Sequence, residues 1–235
     1  MRRPENLELF PNDSRQTPVD PFYHETQARD SGYRLIAGVD EAGRGPLAGP
    51  VVAAAVIIPE GVRFSGVKDS KKMTARARFE RFHTIRGGAL TFGIGVVSVS
   101  YIEKFNILNA SLEAMLRAIQ VLDPQPDIIL VDGIHAVPIP IKQKCLKKGD
   151  QISRSISAAS VLAKVYRDWI MASYHNMYPD YGFDKNKGYG TRQHLEALKT
   201  HGPSPVHRLT FKPVHRLISN AGTARNPKSC ILGER

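Results

Sequence analysis

Asp40 and Glu41 stand side by side immediately before the run Ala42-Gly43-Arg44-Gly45-Pro46-Leu47-Ala48-Gly49-Pro50. A third carboxylate, Asp132, ends a short apolar stretch at residues 128–131, and a fourth, Asp168, lies four residues after Lys164 in a long helical pattern. Gathered at one place, four acids would repel one another in a chain whose formal net charge is +11, so bound cations are the natural explanation. Oxygen donors without a Cys or His constellation suit Mg²⁺ or Mn²⁺ rather than zinc. Two such ions about 3.5–4 Å apart can activate a water and stabilise the leaving oxygen of a phosphodiester. The residue types therefore point to metal-dependent phosphodiester hydrolysis. No Gly-x-x-x-x-Gly-Lys-Ser/Thr run occurs, which argues against a P-loop nucleotidase.

The acids need elements to carry them. Residues 35–39 read as a short buried strand with Asp40 and Glu41 at its end. Neighbouring strand residues face opposite ways, so both acids can serve one site only if the backbone turns there, and Gly43, Gly45 and Gly49 supply such a turn. Residues 51–58 form a second strand, making a hairpin with a long functional loop. A charged helix is expected over 74–85, closed by Gly87 and Gly88, then a third strand over 91–100 and a helix over 109–122 stopped by Asp123 and Pro124. Residues 128–131 form the fourth strand. The basic stretch 138–150, with Lys142, Lys144, Lys147 and Lys148, reads as a loop, either solvated or facing phosphates.

The clearest helix covers 155–173. Its apolar stripe is Ala158, Leu162, Val165 and Trp169, with Val161 at the margin, while Ser157, Lys164 and Asp168 line the rim between core and solvent. By these residues alone, Lys164 and Asp168 also read as a surface i, i+4 pair worth only about 0.2–0.5 kcal/mol. Residues 181–191 carry Lys185, Lys187 and the Gly188-Tyr189-Gly190 turn, where an aromatic ring can stack on a base or sugar while lysines meet phosphates. Thr191 is placed to cap a helix reaching Lys199. The sum is a mixed α/β sheet flanked by helices.

Length and composition frame this reading. At 235 residues one domain is the default, divided as a disordered arm at 1–30 punctuated by Pro4, Pro11, Pro18 and Pro21, a globular catalytic domain at 31–218, and a flexible tail at 219–235. The positive charge favours a polyanion such as nucleic acid. Residues 51–58, the longest apolar run, fall far short of the roughly 20 that a spanning helix requires. Arg2 and Arg3 precede no apolar signal segment, and Cys145 and Cys230 read as unpaired thiols in a reducing compartment, so a cytoplasmic monomer without membrane contact is expected.

The run from Asp40 to Pro50 resembles the signature of ribonuclease HII, the type 2 ribonuclease H, in its bacterial form. Lys68-Asp69-Ser70-Lys71-Lys72, Leu130-Val131-Asp132-Gly133, the segment from Ser157 to Val165 with Arg167-Asp168, Lys187-Gly188-Tyr189-Gly190-Thr191, and Gly202-Pro203-Ser204-Pro205 with His207-Arg208 resemble further blocks of that family in order. The resemblance covers residues 34–215. It implies a ribonuclease H-like mixed sheet flanked by helices, with a small helical C-terminal portion. It implies that Asp40, Glu41, Asp132 and Asp168 are catalytic metal ligands for Mg²⁺ or Mn²⁺, with two ions during turnover. It also implies that Gly43, Arg44, Gly45 and Tyr189 recognise the 2′-hydroxyl and the RNA-to-DNA junction, while Lys71 and Ser157 hold substrate phosphates. The implied reaction is hydrolysis of the RNA strand of RNA–DNA hybrids and nicking on the 5′ side of single ribonucleotides in duplex DNA, leaving 3′-hydroxyl and 5′-phosphate ends.

Two rivals make different expectations. A non-catalytic nucleic-acid-binding module accounts for the charge but not for four acids at strand ends and a helix rim. A metal-dependent DNA nuclease of the same fold accounts for the acids but not for Gly43-Arg44-Gly45 with Tyr189. The N-terminal arm contains Asn6-Leu7-Glu8-Leu9-Phe10, which resembles the peptide by which bacterial DNA-processing proteins dock on the sliding clamp, with Asn in place of the usual Gln. An apolar tag folding back on its own core is the alternative.

Overall fold

Residues Val51–Ile57, Val-Val-Ala-Ala-Ala-Val-Ile, form a strand buried along its whole length, as β-branched and small side chains between two covering layers require. It is β2 of the computed structural model, which describes residues 20–62 and 73–223, with side chains through 219. The clamp-like Asn6-Leu7-Glu8-Leu9-Phe10, the Lys68-to-Lys72 run with Lys71, Cys230 and the last residues of the tail lie outside the described residues. The chain divides into two units, Met1–Arg44 with Pro50–Trp169, and Gly45–Gly49 with Ile170–Arg235.

In the first unit, β1 (Ile36–Ala42), β2, β3 (Thr91–Val97), β4 (Ile128–Asp132) and β5 (Lys142–Leu146) form one mixed sheet in the order β3-β2-β1-β4-β5. The β1–β2 and β2–β3 pairs are antiparallel, and β1–β4 and β4–β5 are parallel. Helices α1 (Tyr23–Asp30), α2 (Ala75–Gly88), α3 (Val99–Gln120), α4 (Gly149–Ile152) and α5 (Arg154–Met177, to Trp169 in this unit) accompany it. Gly93 and Gly95 leave one face of β3 bare, and added Cβ atoms there would meet Ala118 O at 2.1 Å and Ala114 O at 2.0 Å, so α3 lies directly on the strand. The opposite face carries Ala54, Val56 and Ile94 against Phe82 and Ile85 of α2 and Ala158, Val161 and Leu162 of α5.

Gly38 fixes where α5 crosses the sheet. An added Cβ there would stand 2.1 Å from the Ser155 carbonyl carbon. Two residues along a strand advance about 6.6 Å, and five along a helix about 7.5 Å. Asp40 and Ser160 are therefore carried forward together from that crossing, and the Ser160 hydroxyl bonds the Asp40 carboxylate.

The mixed α/β sheet expected from the sequence is observed, with differences that have physical causes. The basic stretch expected as a loop contains β5, whose Lys-Gln-Lys-Cys-Leu lacks an apolar alternation but takes its ladder from β4. Residues 23–30, expected in a disordered arm, form α1. Its buried Glu25 accepts hydrogen bonds from Ser155 N (2.8 Å), Ser155 Oγ (2.7 Å) and Ser153 Oγ (2.7 Å), capping α5 from a distant part of the chain. Helix α3 begins ten residues earlier than expected, at Val99 rather than Asn109, and is interrupted where Asn106 has φ 68°.

In the second unit, Met171, Tyr181, Phe183, Leu198 and Val214 form a small core with Leu47 and Ala48. Short α6 (Phe183–Asn186), α7 (Arg192–His201) and α8 (Lys212–Thr223) supply it, and Thr191 caps α7 as expected, accepting from His194 N at 3.3 Å. Helix α8 runs into the stretch expected as a flexible tail. The segment Gly45–Gly49 is sewn in by Leu47 N to Gly188 O (2.7 Å), Gly49 N to Val206 O (2.8 Å) and Arg208 N to Leu47 O (2.8 Å). Buried Arg208 adds two bonds to Gly49 O, from Nε at 3.0 Å and Nη2 at 2.8 Å.

His207 is buried here, and burial, reinforced by the neighbouring His194, lowers its pKa from 6.5 to about 4. The folded state therefore binds fewer protons than the unfolded state between these values. Its contribution is complete above about pH 6.5 and is lost as the pH falls toward 4, amounting to about 3 kcal/mol for the full shift. Denaturant melts from pH 7 to 4 are expected to show this decline, and His207→Gln is expected to flatten it. An unchanged slope in the variant would exclude His207 as its source.

Candidate active site

The carboxylates gather where the β1–β4 ladder ends. Those strands pair as far as Val39 and Val131, so Asp40 and Asp132 are the next residues in register on adjacent parallel strands. The antiparallel side continues, with Asp40 opposite Ala54 and Glu41 opposite Ala53. Both acids thus lie inside β1, and the turn expected at their position comes only after Ala42, at Gly43 with φ 103°. Alternation sends Asp40 toward α5 and Glu41 toward α3. They reach common ground because the sheet opens at this point, not because the backbone bends.

The charges of Asp40, Glu41 and Asp132 bear on one another. Asp40 is 3% exposed, and burial, followed by the Glu41 and Asp132 carboxylates, holds its pKa well above the usual range, against the Ser160 hydroxyl and the Glu41 N–H, which donates to Asp40 Oδ1 at 2.7 Å. Burial also raises Glu41, opposed by the charge and hydrogen bond of Arg44, whose Nη1 donates to Oε1 at 3.1 Å. Glu41 Oε2 is buried without a hydrogen-bond partner among the described residues. Asp132 Oδ1 accepts from Gly149 N at 2.6 Å, so the start of α4 orients it. A cleft of about 250 Å³ opens beside these groups, lined by Glu41, Arg44, Asp132 and His135 with the apolar side of α3.

Asp168 is held differently. Lys164 Nζ donates to Oδ1 at 2.6 Å, and Arg78 Nη1 to Oδ2 at 3.3 Å, while Arg78 Nη2 donates to Met73 O at 2.9 Å. The surface pair read from spacing is present, but it includes a third, nearly buried partner from α2. Among the described residues no three acidic, His or Cys side chains stand together as a finished metal cage. The donors nonetheless fit a hard divalent cation: oxygen only, crowded buried carboxylates with raised proton affinity, and one orphaned oxygen on Glu41.

The other sequence-predicted residues fall as follows. Gly43 is required twice: by its positive φ, and because a Cβ would stand 2.3 Å from Nε of buried Arg167, which donates to Pro50 O at 3.1 Å. Arg44 engages Glu41, as described above. A Cβ on Gly45 would meet only Tyr189 Cε1, at 3.7 Å, and the Tyr189 side chain is 47% exposed. Ser157 is buried rather than at the helix rim, and its Oγ lacks a partner among the described residues. Lys71 lies outside those residues. Ser160, Arg78, Arg167 and the Gly149 amide join the site without having been expected there from the sequence. Only Arg78 carried a signal, since a charged residue between Ala77 and Phe79 on a helix asks for a partner.

A family model for ribonuclease HII matches residues 37–214. Ribonuclease HII of Geobacter sulfurreducens is 51% identical over 216 residues, covering 92% of this chain and 98% of that protein. Among solved structures, ribonuclease H2 from Pyrococcus horikoshii OT3 superposes with a TM-score of 0.68 at 27% identity, covering 81% of this chain and 99% of that one. The PCNA:RNase HII complex from Archaeoglobus fulgidus gives 0.66 at 26% identity, covering 75% of this chain and 95% of that one.

Proposed function

The chain belongs to the ribonuclease HII family and is a ribonuclease H endonuclease that hydrolyses RNA in RNA–DNA hybrids, and from that footing we propose that it also nicks duplex DNA on the 5′ side of single ribonucleotides. The observation that carries this reading is the crowding of Asp40, Glu41 and Asp132 at the open end of the β1–β4 ladder. The enzyme uses divalent metal, and we assign Mg²⁺ or Mn²⁺, two ions during turnover, to Asp40, Glu41, Asp132 and Asp168. Bound there, the ions supply an activated water and charge stabilisation at the leaving oxygen. In the reaction the water oxygen bonds to phosphorus, the bond from phosphorus to O3′ breaks, and O3′ takes a proton, leaving 3′-hydroxyl and 5′-phosphate ends.

The protein's own contributions follow from its contacts. The Gly149 amide fixes the rotamer of Asp132, Ser160 that of Asp40, and Arg44 balances the charge of Glu41. Arg78 and Lys164 hold Asp168 in place through hydrogen bonds to its two carboxylate oxygens. Gly43, Arg44, Gly45 and Tyr189 read the ribose, because the 2′-hydroxyl is the group that tells RNA from DNA. Lys71 and Ser157 are assigned to substrate phosphates. The positive charge of the chain supports nucleic acid as partner.

Docking of Asn6-Leu7-Glu8-Leu9-Phe10 on a sliding clamp is a second proposal, supported by the Archaeoglobus fulgidus relative whose structure is a complex with PCNA. Among the described residues no helix is long and apolar enough to cross a membrane. A monomer working in the cytoplasm is the proposed setting.

The test is a labelled DNA duplex carrying one ribonucleotide, incubated with Mg²⁺ or Mn²⁺ beside an all-DNA control. A single nick 5′ of the ribonucleotide is expected, with the control intact. Cutting of both duplexes would favour a general DNA nuclease, and binding without cutting in either ion a non-catalytic module.

A further inference from the structure

A chain of hydrogen bonds through two buried histidines ends on the backbone of Tyr189. Ser204 N donates to His207 Nδ1 at 2.9 Å, and Ser204 Oγ approaches the same nitrogen at 2.8 Å. A backbone amide can only donate, so His207 Nδ1 carries no proton and the ring's hydrogen is on Nε2. His207 Nε2 lies 2.9 Å from His194 Nε2, which must then accept. The hydrogen of His194 is left on Nδ1, which donates to Tyr189 O at 2.8 Å. Both tautomers are thus fixed by one amide, and a proton added to either ring would set two N–H groups against each other.

The same histidine reaches the glycine turn. The His207 backbone forms a β-bridge with Ala48, and Leu47 N donates to Gly188 O at 2.7 Å. Gly188 N is held by Asn186 Oδ1 at 2.8 Å, and Tyr189 N donates to Asn186 O at 2.9 Å. The backbone on both sides of the exposed Tyr189 ring is therefore fastened, and the ring's Cε1 edge lies beside Gly45. Neither histidine contacts solvent to any extent, at 0% exposure for His194 and 1% for His207.

We propose that His194 and His207 are positioning residues for ribonucleotide reading: their paired rings fix the Tyr189 carbonyl, and with it the placement of the Tyr189 phenol beside Gly45. This rests on the assignment of Tyr189 to ribose reading. Preorganising an exposed aromatic ring favours the substrate that needs it most, the lone ribonucleotide in DNA, over a uniform hybrid.

The readout is the ratio of kcat/KM on a duplex with one ribonucleotide to kcat/KM on a uniform RNA–DNA hybrid, for protein shown folded by circular dichroism. Glutamine at 194 can reach His207 but has no donor at the Nδ1 position, and His194→Gln is expected to lower the ratio about tenfold, the scale of one lost hydrogen bond. His194→Asn, whose amide nitrogen takes the Nδ1 position, is expected to recover most of it. In a Tyr189→Ala background, His194→Gln is expected to change the ratio by less than about twofold, because the ring it positions is gone. An unchanged ratio in His194→Gln while Tyr189→Ala is impaired would overturn the positioning role. An unchanged ratio in Tyr189→Ala itself would instead overturn the reading beneath it. Should Gln at 194 prevent folding, ¹⁵N spectra of the unmutated protein decide: an Nδ1–H tautomer at His194 supports the relay, and an Nε2–H tautomer refutes it.

Discussion

Asp132→Asn is expected to leave substrate binding nearly intact while kcat falls by more than about a hundredfold, the upper end for removing only an outer partner of a metal ligand. The substitution keeps shape, and the Asn oxygen can still accept from the Gly149 amide, so the end of β4 and the start of α4 stay joined. What disappears is a negative charge that raises the proton affinity of both Asp40 and Glu41. Without metal, the variant is therefore expected to melt no lower than the unmutated protein. Lost turnover together with unimpaired stability separates a ligand role from a structural one. Turnover within about tenfold of the original would remove Asp132 from the site.

Gly43→Ala is expected to damage stability and activity together. An alanine must adopt φ near 103°, and its Cβ would lie 2.3 Å from Arg167 Nε and 2.7 Å from Pro50 O. Arg167 cannot swing into solvent, being 1% exposed and bonded to Pro50 O. Backbone strain and overpacking add to a loss of about 3 kcal/mol or more. Displacing residue 43 also moves Arg44, the cation on Glu41, so kcat/KM is expected to drop at least about tenfold. Gly45→Ala is the control: its Cβ meets only Tyr189 Cε1, at 3.7 Å, and a melting temperature close to the original is expected. Equal destabilisation by the two substitutions, measured by thermal melts, would refute the distinction.

Asp40, Glu41 and Asp132 were legible because an apolar run precedes each site, a pattern that delivers side chains toward a strand end, whereas Asp168 showed only as half of an i, i+4 pair on a helix. The length of β1 was not, since Asp and Glu are poor strand formers and only pairing with Ala54 and Ala53 carries the strand through them. The same tertiary override hides β5, an edge strand of lysines, and α1, a polar helix whose use is to present Glu25 to the start of α5. Ser157 illustrates the limit of a helical wheel. One wheel treats α5 as if its cover were uniform, but residues 155–163 are buried on nearly every side while Trp169 is 42% exposed. The pairing of His194 with His207 left no trace in the sequence, because only the fold brings together residues separated by α7 and the Gly202 turn.

The acids at the end of the β1–β4 ladder are expected to hold the metal. Calorimetric titration of Mn²⁺ into the unmutated protein and into Asp40→Asn, Glu41→Gln and Asp132→Asn tests it most directly, with folding checked in each. Saturable binding in the unmutated protein, weakened at least about tenfold by each substitution, is the predicted result. Binding of equal strength in all four proteins would contradict the account.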